Sequence, residues 1–147
     1  MTHWSSRYIG IPYCAHVACD RLRCPGMDCA ELAAHVAREV FAVQVMLPTE
    51  RSRSLGERSR TIASLAADYA APVADPADGD VVLMRKGRAL GAESDPARTL
   101  WHVGIYCALD TRPWVLHNTS TSGASTLVPV SRLSELGLWV EGYYRWV

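Results

Sequence analysis

"DCAELAAHVAREVFAV", residues 28–43, decides how the rest of the chain is read. Cys29, Leu32, Ala33, Val36, Ala37 and Val40 recur at i, i+3, i+4, i+7, i+8 and i+11, the apolar stripe of one α-helix. Glu31, His35, Arg38 and Glu39 fall off that stripe. Asp28 is a good N-cap, and Glu31 follows at capping-box distance, so the helix is predicted to start at Cys29. A thiol at a helix start feels the positive end of the helix dipole, which lowers its pKa toward the reactive thiolate. Cys29 also lies on the apolar stripe and so faces whatever the helix packs on. It is either a nucleophile in need of a base or a small buried apolar residue.

Immediately upstream, "PYCAHVACDRLRCPGMDC" (12–29) spaces Cys14, Cys19, Cys24 and Cys29 five residues apart. Such spacings admit a structural zinc site built from Cys14, His16, Cys19 and Cys24, or with Cys29 as a ligand. Only Pro25-Gly26 offers the tight turn that such sites favour. A disulfide framework is the other possibility. However, "MTHWSSRYIG" lacks the basic and apolar regions of a secretory signal, which implies synthesis in a reducing cytoplasm. The five cysteines of the chain are also an odd number.

Downstream, a weaker helix is expected from Ser54 to Ala71, before Pro72. "DPADGD" (75–80) reads as a turn. Period-2 segments follow: "DVVLMR" (80–85), "HVGIYCA" (102–108), "WVLHNTS" (114–120), "TLVPV" (126–130) and "LWVEGYYRW" (138–146). A polar loop, "KGRALGAESDPART" (86–99), separates the first two. Helices first and short strands after predict an α+β chain, with helices on a roughly five-stranded antiparallel sheet.

A length of 147 residues suits a single domain over 1–147. Such a chain buries roughly 68–70% of its unfolded surface and needs neither metal nor disulfide for a core. With 49% apolar and 20% charged residues the composition is ordinary globular, and the net charge is zero. There is no basic stripe for nucleic acid. No apolar run approaches the ~18–20 residues of a membrane span.

Two histidines stand on the expected strands. His102 shares a face with Gly104 and Tyr106, and His117 lies on the next strand. A hairpin loop of even length centred between Leu109 and Asp110 would set His102 directly opposite His117, and a loop of about "ALDTRP" is expected because Pro113 belongs near the strand edge. Side by side they suit a base and the group that orients it, or two ordinary half-exposed strand residues. Trp101, Trp114, Trp139 and Trp146 read as core or sheet-edge packing, or as lining for a glycan-peptide groove. Cys107 reads as a buried apolar residue, His35 as solvated, and His3 as near a terminus.

The ordered set "GIPY … GMDCAEL … GDVVLM … HVGIY … VLHN" resembles the NlpC/P60 cell-wall peptidases, from about Trp4 to the end of the chain. "YIGIPY", "VMLPTE" and "GYYRWV" are similar to the short phage-tail and gene-transfer-agent branch. The resemblance implies a papain-like fold and thiol hydrolysis of peptidoglycan stem peptides, typically at the D-γ-glutamyl–diamino acid bond. It implies Cys29 as nucleophile, His102 as general base and His117 as the residue orienting the imidazole. Tyr13 would serve the oxyanion or substrate, and Asp28 precedes the nucleophile. No cofactor is implied. The implied partners are peptidoglycan peptide and phage tail proteins, with the chain in the virion tail or delivered to the cell wall. Ala30 and Glu31 depart from the family's small-or-aromatic residue and glycine, and "CAHVACDRLRC" replaces its Gly-Gly. The departures leave room for a weakly active tail-tip plug on the same fold. An antibacterial amidase toxin on the same scaffold is a further alternative.

Overall fold

The computed structural model describes residues 2–14, 26–46, 55–87 and 100–147, with side chains of the second helix from residue 59. The predicted helix α1 runs Cys29–Phe41. Asp28, extended at φ −82°, accepts the Glu31 N–H through Oδ1 at 2.8 Å, which satisfies one of the helix's unpaired amides. At the other end Ala42 takes the left-handed conformation, and its N–H returns to the Ala37 carbonyl. Cys29, Ala30, Leu32, Ala33, Ala34, Val36 and Ala37 are all buried, a broader face than the expected stripe. Small alanines let α1 approach the sheet closely. The second helix, α2, spans Leu55–Tyr69.

Six antiparallel strands follow among the described residues: β1 Ala70–Val73, β2 Val81–Lys86, β3 Leu100–Leu109, β4 Arg112–His117, β5 Thr126–Pro129 and β6 Leu138–Trp146. Their spatial order is β1-β6-β2-β3-β4-β5. The chain is thus α+β, with one strand more than expected. Residues 70 and 71 were assigned to the end of α2, but they leave the helix and pair with Trp146 and Arg145. The physical reason is Pro72: it disfavours helix in the residue before it, and as part of an edge strand it is tolerated in the sheet. A 3-10 helix, Trp4–Tyr8, precedes α1, and another, Val130–Leu136, joins β5 to β6.

The sheet separates two apolar layers. Val81, Val103, Ile105, Cys107 and Leu116 pack with α1. Val82, Met84 and Val115, the alternate residues, pack with Leu133 and Leu138 on the opposite face. Asp80, buried before β2, accepts from the Ala77 N–H at 2.7 Å and pairs with Arg145 at 2.9 Å. His3 and His35 are both more engaged than expected. His3 caps the first 3-10 helix and bonds Asp78 at 3.1 Å, and His35 meets Tyr8 edge-on at 5.8 Å.

The hairpin between β3 and β4 differs from the expected six-residue loop. Leu109 pairs with Arg112, so only Asp110 and Thr111 turn, with φ of 47° and 63°. Positive φ at both positions is the demand of a type I′ hairpin. Pro113 therefore lies inside the ladder, opposite Ala108. The Ala108 N–H points away from it, to Asp78 Oδ1 at 3.0 Å. The pair is a non-hydrogen-bonded one, and the missing Pro113 N–H costs the β3–β4 ladder nothing. The turn is centred between Asp110 and Thr111, one residue later than the centre that would oppose the two histidines, so His117 falls opposite Gly104 instead of His102.

Candidate active site

The segment before α1 is held by backbone. The Met27 N–H donates to the Pro12 carbonyl at 2.9 Å, and the Tyr13 N–H donates to that of Gly123, also at 2.9 Å. Residues 11–13 are thus tied to the chain leading into Cys29 on one side and to 123–125 on the other. Asn118 locks this crossing. Fully buried, it donates through Nδ2 to the carbonyls of Met27 at 2.8 Å, Ile11 at 3.1 Å and Pro12 at 3.4 Å. Gly26 is required at the same place, since a Cβ there would stand 2.5 Å from the Pro12 oxygen and 2.8 Å from Cys14 Cβ.

These constraints put Tyr13, Asp28 and Cys29 on one cleft together with His102, Trp101, Ser59, Lys86 and Asn118. Asp28 is buried and committed to its cap. Ser59, on α2, accepts the Trp101 N–H at 2.7 Å, which ties the start of β3 to the helix layer. Glu31 does not line the cleft.

His102 and His117 are each 1% exposed. His102 Nε2 lies 2.9 Å from His117 Nδ1, and the rings meet edge-to-face at 5.1 Å. They reach each other diagonally across the ladder, past Gly104, which carries no side chain between them. A Cβ there would be 3.2 Å from His117 Cβ and would also run into Val115. Burial, the neighbouring His117 and the Lys86 ammonium hold the His102 pKa well below the usual imidazole range. Burial, with Lys86, lowers that of His117 to about 4. Both rings are therefore neutral near pH 7. His102 Nδ1 and His117 Nε2 have no hydrogen-bond partner among the described residues.

A neutral imidazole pair has two arrangements. When His102 Nε2–H donates to His117 Nδ1, the His102 lone pair is on Nδ1 and can accept a proton. The imidazolium formed would keep that bond and strengthen it by its charge. The set can therefore move a proton at His102 Nδ1 beside a helix-start thiol.

Cys14 is disulfide-bonded, with its partner outside the described residues. This corrects the expectation of reduced cysteines. It also removes Cys14 from the zinc set, because an oxidised sulfur has no thiolate to offer a metal. His16, Cys19 and Cys24 lie outside the described residues. Among the described residues no group of three or more His, Cys, Asp or Glu is placed to hold a metal. Cys29 and Cys107 keep their thiols. Cys107 is fully buried and its pKa is pushed up to about 12, chiefly by that burial, as befits an inert core residue. Among the described residues no helix is long and apolar enough to cross a membrane.

The sequence reading missed Asn118, Ser59, Lys86 and the role of Gly104. The signals were slight: a carboxamide directly after a strand histidine, and a glycine two residues after the other histidine. No family model matches the chain, and no curated protein or solved structure matches it either.

Proposed function

We propose that this chain is a papain-like thiol hydrolase of the NlpC/P60 type, cleaving peptidoglycan stem peptides at the D-γ-glutamyl–diamino acid bond and serving a phage tail or prophage. One observation carries the reading: His102, bonded to His117 through Nε2, shares a cleft with the thiol that starts α1.

In the reaction, His102 Nδ1 takes the Cys29 proton, and the thiolate adds to the amide carbonyl. The helix-start amides, Ala30's among them, and the Tyr13 hydroxyl stabilise the oxyanion. The carbon–nitrogen bond breaks as His102 passes its proton to the leaving amine. Water, deprotonated by His102, then cleaves the thioester, releasing the acid and restoring the thiol. His117 accepts from His102 Nε2–H throughout and holds the ring's tautomer and orientation. The unpartnered His102 Nδ1 fits a site whose hydrogen bonds tighten when substrate enters, as those of substrate-free enzymes commonly do.

That same unpartnered nitrogen favours a second reading, a tail-tip plug with little turnover. Purified protein incubated with isolated sacculi separates the two. Release of new amino termini by the wild type, and none by Cys29→Ala, is the expected result. Inert wild type across several pH values and metal conditions would leave the plug.

A further inference from the structure

A second cavity, of about 690 Å³, lies behind the histidine pair and is lined by His117, Lys86, Thr119, Thr126, Val128 and Leu138. Its size is within the ~300–1,000 Å³ of small-molecule sites. The walls combine an apolar floor with a few hydroxyls, the usual make-up of such sites. His117 contributes a buried ring whose Nδ1 is taken by His102 and whose Nε2 has no hydrogen-bond partner among the described residues. Lys86 belongs to this cavity and to the Cys29 cleft alike, and its charge acts on both rings. Glu135 is the one acidic residue of the cavity among the described residues, and Arg132 pairs with it at 3.1 Å.

We propose that this cavity is a binding site for a small, largely apolar carboxylate, whose oxygens accept from His117 Nε2–H and pair with the Lys86 ammonium. A buried donor without a partner is costly, and an anionic acceptor is the group that relieves the cost most fully. The apolar tail would lie on Val128 and Leu138. Binding has a direct consequence for the other cleft. A carboxylate on Nε2 fixes the hydrogen there, so His117 Nδ1 must accept, His102 Nε2 must donate, and the lone pair is on His102 Nδ1. The ligand thereby selects the basic tautomer. Only this last consequence rests on the thiol-hydrolase reading.

Hexanoate, with hexan-1-ol as its uncharged counterpart, is a suitable probe. Nitrogen-15 NMR of the histidine rings in the full chain, titrated with each, reads the site without any turnover. Hexanoate should move the His117 Nε2 resonance saturably and raise the His117 pKa. Hexan-1-ol, Lys86→Gln and Val128→Phe should each weaken binding about tenfold or more, the worth of one charge-assisted bond or of the filled volume. No saturable shift at His117, or hexan-1-ol binding as tightly as hexanoate, would overturn the proposal. Amide spectra establish that each variant is folded, and the comparison of the two probes needs no variant. Failure here with active wild type on sacculi would leave the hydrolase reading untouched.

Discussion

His102 Nε2 and His117 Nδ1 lie 2.9 Å apart, although the two residues are not partners in the ladder. The bond is a diagonal one, across the place where Gly104 carries no side chain. On the proposed function His117 is a positioning residue, acting on substrate only through His102. On hydrolysis of a stem peptide, His117→Ala should lower kcat by about 10²-fold with little change in KM. His117→Asn, whose carboxamide oxygen can accept the same bond, should recover part of the loss. Equal effects of the two variants, or a change confined to KM, would contradict the role.

The empty position makes a separate prediction. Gly104→Ala places a methyl against Val115 and 3.2 Å from His117 Cβ. Overpacking of this kind costs about 1–3 kcal/mol, so the midpoint of urea unfolding should fall accordingly. Because the added methyl also presses on His117, kcat should fall as well. A variant as stable and active as wild type would show that the sheet relaxes freely there.

Both rings are neutral in the fold, and that has a sign. Their folded pKa values lie below the ~6.5 of an unfolded histidine, His117 at about 4. Between these limits the unfolded chain binds more protons, so acid favours unfolding. The contribution is fully present above pH ~6.5 and declines as pH drops, by about 3 kcal/mol for His117 once pH reaches its folded value. Urea midpoints from pH 7.5 to 4 should therefore fall more steeply for wild type than for His117→Gln. Parallel curves would contradict the buried neutral pair.

The legible part of this molecule was local. The start of α1 was visible because a capping carboxylate, a periodic stripe and a proline-free run agree on it, and Asp28 does cap Glu31. Strand faces were visible from alternation, which placed His102 and His117 on one side of the sheet. What could not be read was register. Asp110 and Thr111 adopt positive φ although neither is glycine, so the two-residue turn left no clear mark in the sequence. Pro113 suggested a loop, and only the outward Ala108 N–H explains why the ladder tolerates it. Ala70 and Ala71 gave no sign of strand, since their pairing with β6 is set by a segment 75 residues away. The oxidation of Cys14 depends on which sulfur the fold brings near, and spacing alone does not say.

Asn118 joins sequence-distant pieces in the same way, and it yields the sharpest test of how Cys29 is placed. Its Nδ2 spans the carbonyls of Ile11, Pro12 and Met27, the two strands that carry Tyr13 and Cys29 into the cleft. In Asn118→Asp the carboxylate cannot donate and faces three carbonyl oxygens at close range. Loss of the donor alone, as in Asn118→Ala, should cost about 1–2 kcal/mol, because the carbonyls of Ile11, Pro12 and Met27 lose its bonds and keep only their backbone donors. Asn118→Asp should cost more, through an uncompensated buried charge. Alkylation of Cys29 by iodoacetamide gives a second readout that does not require a substrate. With the crossing released, the thiol should lose its fixed relation to His102, and its alkylation rate near neutral pH should fall toward that of His102→Gln. If Asn118→Ala lowers stability but leaves the rate unchanged, the bonds hold the fold without setting the site.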